Sequence, residues 1–214
     1  MFPLPGYFIF DLDGTLFDTG IDLARSVNFA LAEFKLPTHD LATVISFIGN
    51  GSLNLIRRST GEQGEHAVRD IHQCFLSHYL ENCTLDTQPY PGVLEFLQSE
   101  VRASILTNKP DAPTRKILAH FGLAERFETV FCGDTTPARK PQPDGLLEIL
   151  RRACVESKDA LMVGDDLPDL GAALAAHVPS MALLGGFGAR VALLEAQPTF
   201  SANSFADFSR LIHA

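Results

Sequence analysis

The stretch FIFDLDGTLFDT, residues 8–19, sets two carboxylates, Asp11 and Asp13, one residue apart behind an apolar run. Close carboxylates repel, and burying them is expensive unless a cation or a shared proton offsets the charge. A positive partner is therefore expected between them. Such a pair also suits a division of labour in which one carboxylate attacks an electrophile and the other moves a proton. Gly14 permits a tight turn after the pair, and Thr15 has the hydroxyl to cap the next turn.

The elements that must position these acids alternate along the chain. Residues 7–10 are short, apolar and aromatic, which predicts a buried strand ending at Asp11. Ile21, Ala24, Val27, Leu31 and Phe34 recur at steps of three and four, a helical stripe that stops before Pro37. Further helices are expected over 40–47, 52–59 and 65–80, with no strand between Thr19 and Thr84. An all-helical block is thus wedged in after the first strand. Beyond the turn-rich QPYPG at 88–92, helices near 93–98, 112–120, 146–154 and 170–176 alternate with ASILTN, TVFCGD, ALMVGDD and SMALL. Five short apolar runs flanked by helices predict a parallel α/β sheet covered on both faces, Rossmann-like in class, with an inserted helical cap. The expected division is a core of 1–17 and 86–214 and a cap of 18–85.

The whole chain has room for this, at 214 residues with 46% apolar and 20% charged side chains. Its net charge of -9 argues against a nucleic-acid partner, because gripping a phosphate backbone takes a basic surface. Cys74, Cys83, Cys132 and Cys154 form no CxxC pair and no zinc-like spacing, and are read as inert thiols of a reducing cytoplasm. The N-terminal segment lacks a basic n-region and is broken by prolines and a glycine, unlike a signal peptide. No uninterrupted apolar run approaches the roughly 20 residues of a membrane span. The apolar stretch from Val178 is expected to be a strand, a loop and the start of a helix.

In open parallel sheets the site lies beyond the carboxyl ends of the strands. Those ends carry Asp11 and Asp13; Thr107, Asn108 and Lys109; Gly133 and Asp134; and Asp165, Asp166 and Asp169. Each alone is an ordinary strand terminator or helix cap, and their accumulation is the signal.

DLDGT, LTNKP, RKPQPDGLLEIL and VGDDLPD, in that order, resemble the four motifs of the haloacid dehalogenase-like phosphohydrolase superfamily. The helical insert DTGIDLARSVNFALAEFKLP, followed by FIGNG, is similar to the cap of the phosphoglycolate phosphatase subgroup. The likeness runs from about Phe8 to Leu184. It implies an enzyme that hydrolyses a small soluble phosphate ester such as 2-phosphoglycolate. Pyrophosphatase, nucleotidase and sugar phosphomutase activities share the core motifs, and a non-catalytic binding module is the alternative of another class.

Phosphate monoesters resist attack because nucleophile and phosphoryl oxygens are both negative. Asp11 is the expected nucleophile, forming an aspartyl-phosphate, and Asp13 the acid that protonates the leaving oxygen and then activates water. The resemblance implies Mg²⁺ held by Asp11, the backbone carbonyl of Asp13, and Asp165. Asp166 stands where the family usually has a small polar residue and is expected to cap a helix, while Asp169 orients its neighbours. Thr107 and Asn108 are expected to grip phosphoryl oxygens, and Lys140 to supply an offsetting cation. Lys109 and Arg139 are read as solvated, and His177 as a loop residue where the subgroup often has glycine.

Specificity falls to the insert. In FIGNGSLNLIRR, Gly49, Asn50 and Gly51 form a turn ahead of a helix that Ser52 is expected to cap, leaving N–H groups for an anionic substrate. Arg58 offers a planar fork for a carboxylate, with Arg57 as the alternative.

Overall fold

A strand made only of aromatic and aliphatic residues needs backbone partners on both edges and apolar cover on both faces. In the computed structural model, which describes residues 5–136 and 138–213, β1 (Tyr7–Phe10) has all of these. It pairs in parallel with β4 (Ala103–Leu106) and β6 (Ala160–Gly164). The sheet continues outward to β5 (Val130–Phe131) on one side and to β7 (Ser180–Leu183) and β8 (Phe200–Ala202) on the other, in the order β5-β4-β1-β6-β7-β8. Residues 1–4, Pro137 and Ala214 of the expected core lie outside the described residues.

Alternate residues of β1 feed different layers. Phe8 and Phe10 pack with Phe96 of α5 (Val93–Gln98) and with Phe205 and Phe208 of α10 (Phe205–His213). Tyr7 and Ile9 belong to a second cluster with Leu146 and Ile149 of α7 (Asp144–Ala153) and Ala172 and Ala173 of α8 (Leu167–Ala175). With α6 (Asp111–His120) and α9 (Arg190–Glu195), the helices complete the expected Rossmann-like α/β class with a helical cap.

The cap helices are α1 (Gly20–Glu33), α2 (Leu41–Ile45), α3 (Ser52–Thr60) and α4 (Glu65–Asn82). They lie in sequence between β2 (Phe17–Asp18) and β3 (Gln88–Pro89), which pair antiparallel into a two-stranded ribbon. The buried carboxylate of Asp22 on α1 accepts N–H bonds from Asp86 and Thr87 and the Thr87 hydroxyl, fixing the outgoing and returning chain together. One apolar cluster runs from Phe8 and Phe10 through Leu16 and Phe17 to Val27, Leu55, Phe75 and Tyr79, so cap and core share cover.

The expectation of five apolar runs falls short by one strand. β8 is half exposed and three residues long, and it sits at the sheet edge, where burial imposes little apolar pattern. α10 was also missed, although Phe205, Phe208 and Ile212 recur at helical spacing. Among the described residues no helix is long and apolar enough to cross a membrane.

Candidate active site

Asp11 follows β1 directly, and its N–H still donates to Val163 of β6 at 3.0 Å, which holds the side chain at the sheet's carboxyl end. The chain then turns at Gly14, whose φ of +80° suits glycine. A Cβ there would lie 2.1 Å from Asp165 Oδ2, and one on Gly186 would lie 2.4 Å from the same atom. Two glycines therefore make room for a carboxylate. Thr15 Oγ1 donates to Asp165 Oδ1 at 2.6 Å and the Phe187 N–H to Oδ2 at 2.7 Å. The Thr15 hydroxyl, expected to cap the following turn, is thus used to hold Asp165.

Carboxylate oxygens of Asp11, Asp165 and Asp169 all come within 4.8 Å of one another. Burial raises all three pKa values, Asp11 to about 6, with the neighbouring acids adding to the rise. Among the described residues, one cation faces them. Lys140 Nζ donates to Asp169 Oδ1 at 2.6 Å and lies 2.9 Å from Asp11 Oδ1. Burial would lower the Lys140 pKa, but the two carboxylates outweigh it and pull the value up. The contact with Asp11 is ionic and poorly aligned, since buried Asp11 Oδ1 has no hydrogen-bond partner. Three clustered acids against one ammonium, with Asp11 Oδ1 making no hydrogen bond, form an oxygen donor set with negative charge in excess that fits a hard divalent cation.

Of the remaining fourth-motif residues, Asp166 is a helix cap as expected. Asp166 is the N-cap of α8, in a capping box where its own N–H donates to Asp169 Oδ2 at 3.0 Å. Asp169 thereby orients both the helix start and Lys140.

Asp13 takes a different set of partners, and here one expectation is overturned. Lys109, expected to be solvated, is 4% exposed, and its Nζ donates to Asp13 Oδ1 at 2.9 Å and Oδ2 at 3.1 Å. Its third bond goes to the Tyr79 hydroxyl on α4, at 2.6 Å. Thr19, at the entrance to the cap, donates to Asp13 Oδ1 at 2.7 Å. Cap helix α4 buries Lys109, which no pattern local to Lys109 reveals. Arg139 is exposed as expected, its Nε donating to Gly133 O at 2.7 Å.

Asn108 joins the two lobes. Its Nδ2 donates to the carbonyls of Gly49 on the cap and Lys140 on the core, at 2.9 and 3.0 Å, while buried Oδ1 has no partner. Thr107 is also buried at the cavity wall. Gly49 presses on the core so closely that a Cβ would lie 1.9 Å from Asp166 Oδ2. Between the lobes is a cavity of about 50 Å³. Asp11, Asp13 and Lys109 line its core side, and Leu55, Phe75 and Tyr79 its cap side.

The cap residues divide. Gly49 and Gly51 line the cavity, whereas Asn50 is exposed and outside the lining. Ser52 does not cap α3; Gly51 occupies the N-cap position, and the Ser52 hydroxyl pairs with His72 Nε2 at 2.8 Å. Arg57 is held within the cap by Glu65 and Asn54. Arg58 is exposed, stacked 4.8 Å over the Phe47 ring and outside the lining, though its charge opposes the burial-driven rise of the Asp166 pKa.

A family model described as haloacid dehalogenase-like hydrolase matches residues 8–183. The chain belongs to this family. Among its curated relatives, phosphoglycolate phosphatase 1 of Pseudomonas aeruginosa is 35% identical over 95% of this chain and 78% of its own length. Phosphoglycolate phosphatase of Haemophilus influenzae is 35% identical over 95% of both chains. A solved structure described as a predicted phosphoglycolate phosphatase from Haemophilus somnus covers 99% of both chains with a TM-score of 0.91 at 28% identity. This haloacid dehalogenase-like hydrolase is a phosphoric monoester hydrolase by these likenesses. Tyr79, Thr19 and the Phe187 N–H went unforeseen; Tyr79 was visible only as the last member of α4's apolar stripe Val68, Ile71, Phe75.

Proposed function

We propose that this enzyme is a Mg²⁺-dependent phosphatase of the cytoplasm, acting on a small soluble monoester of the 2-phosphoglycolate kind through an aspartyl-phosphate. The observation that carries the reading is the excess of negative charge at one point, with Asp11, Asp165 and Asp169 facing the ammonium of Lys140.

Asp11 attacks phosphorus, forming the Asp11 O–P bond as the P–O bond to the leaving group breaks. Asp13 gives its proton to that leaving oxygen and afterwards takes one from the water that cleaves the acyl phosphate, so both carboxylates return to their starting state. The Thr107 hydroxyl and the N–H groups around Asn108 hold phosphoryl oxygens, and Lys140 offsets charge on Asp11. Asp11, Asp165 and the backbone carbonyl of Asp13 would hold Mg²⁺, which when bound neutralises phosphoryl charge. The cap excludes water from the cavity.

The relatives named as phosphoglycolate phosphatases support a short, carboxylated leaving group, which would lie on the cap side of the cavity against Leu55, Phe75 and Tyr79.

The test is phosphate release from 2-phosphoglycolate with Mg²⁺ and with excess EDTA, for wild type and Asp11→Asn. Chelation should abolish turnover reversibly, and the Asn variant should lose more than about a thousandfold. A full-rate Asp11→Asn enzyme would end the covalent reading.

A further inference from the structure

The Lys109 ammonium has three N–H donors, and all three are spent: two on the Asp13 carboxylate and one on the Tyr79 hydroxyl. The arrangement crosses the seam between lobes, because Asp13 and Lys109 follow core strands while Tyr79 stands on cap helix α4. Tyr79 is 1% exposed, and its ring stacks on Phe75 with centroids 5.4 Å apart and planes 9° from parallel. Packing therefore fixes where its hydroxyl lies. On its other side Asp13 accepts from Thr19, the residue just ahead of α1. The carboxylate is thus gripped from the two ends of the cap.

We infer that Tyr79 and Lys109 are a positioning pair through which the seated cap aims Asp13 at the leaving-group oxygen. The inference rests on the proposed acid/base role of Asp13. Neither residue exchanges a proton in the reaction: Asp13 supplies it, the leaving oxygen receives it as its bond to phosphorus breaks, and Lys109 and Tyr79 keep theirs. Lifting the cap removes the Tyr79 acceptor, so Lys109 loses one of three fixed points and Asp13 its rigid partner. Proton donation is then available only when the cap covers the substrate.

An ester that needs no proton at its leaving oxygen isolates this role. The comparison uses 2-phosphoglycolate, whose alkoxide is a poor leaving group, and p-nitrophenyl phosphate, whose phenolate leaves unaided. Tyr79→Phe keeps the ring and its stacking and deletes only the hydroxyl. Its kcat/KM, which reports expulsion of the leaving group and not the later hydrolysis that both esters share, should fall about tenfold on the alkyl ester, at least five times more than on the aryl ester. In an Asp13→Asn background the same change should alter neither rate by more than about twofold, because nothing remains to be aimed. Equal losses on both esters, or an undiminished effect in the Asp13→Asn background, overturn the inference while leaving Asp13 as the acid. An Asp13→Asn enzyme whose kcat/KM falls equally on both esters overturns the acid role of Asp13 and this inference with it. Melting temperatures verify folding, and Lys109→Gln is read on the same two esters should Tyr79→Phe be insoluble.

Discussion

Raising the pH over the metal-free protein should weaken it at the acidic cluster, and Mg²⁺ should restore what is lost. Asp11 titrates near 3.8 in the unfolded chain and at about 6 in the fold, mainly because burial penalises its charge. Below the lower value both forms carry the proton and there is no difference. Between the two the unfolded chain releases its proton and the folded one keeps it, so stability falls as pH rises. At ~1.4 kcal/mol per pH unit, Asp11 alone costs roughly 3 kcal/mol by about pH 6, or roughly 6–12 °C in melting temperature for a chain of this size. Asp165 and Asp169 shift in the same direction. Lys140, raised by its carboxylate neighbours, stays protonated in both states throughout this window and adds no slope. Acids held low, such as Glu128 beside Arg102 and Glu148 beside Arg151, are ionised in both states above their ordinary value of about 4.5 and so add no slope from about pH 5 upward. The assay is thermal unfolding of wild type and Asp165→Asn, in EDTA and in millimolar Mg²⁺, from about pH 5 to about pH 8. At a hundred times its dissociation constant Mg²⁺ adds about 2.7 kcal/mol to wild type. That gain should shrink toward nothing near pH 5, where protons occupy the carboxylates. In EDTA near neutral pH, Asp165→Asn should melt above wild type and ignore Mg²⁺. A Mg²⁺ shift of equal size at both ends of the pH range, or one that survives in Asp165→Asn, would refute the reasoning.

Three other perturbations test separate parts of the fold and site. Arg58 reads a carboxylate only by leaving the Phe47 ring to reach inward, and then Arg58→Ala loses about tenfold or more in kcat/KM on a carboxylated ester relative to an uncharged aryl phosphate, as expected for a charge-assisted hydrogen bond of roughly 1.5–3 kcal/mol; equal effects on both would leave Arg58 on Phe47 and move anion reading elsewhere in the cap. Asp22→Ala strands the Asp86 and Thr87 donors in a buried site and should cost about 3 kcal/mol or more in urea unfolding, whereas a loss under about 1 kcal/mol would contradict the clamp. His177 sits in the left-handed region at φ +54° just beyond α8, so His177→Gly should raise stability by about 1 kcal/mol after the entropy of glycine is counted; destabilisation would show that the side chain matters there.

What was legible in the sequence had a local cause. Tyr7–Phe10 is apolar because it is buried on both faces, and Asp11 follows because the ladder ends at the site, so the strand and the acid at its carboxyl end were readable together. Asp166 was readable as a cap because a capping box needs acids three residues apart on one turn, and Asp166 and Asp169 supply them. Lys140 was placed by its motif, and burial between Asp11 and Asp169 gives that motif its physical reason. Lys109 shows where local reading stops. A lysine before proline at a strand end looks solvated, and it would be solvated on the core alone. What buries it is Tyr79, 30 residues earlier on another lobe, and what satisfies it is Asp13, 96 residues earlier. Neither separation leaves a periodicity, and a tyrosine closing an apolar helical stripe gives no sign that its hydroxyl crosses a seam. Arg58 illustrates the converse. Its planar fork in the insert pointed to the site, but a guanidinium on an exposed helix face has a flat aromatic surface, Phe47, close at hand, and stacking there competes with reaching inward. Residues that act across the seam are set by how the lobes close, and that is decided by the shared apolar cluster from Phe17 to Phe75, whose members each look like ordinary core.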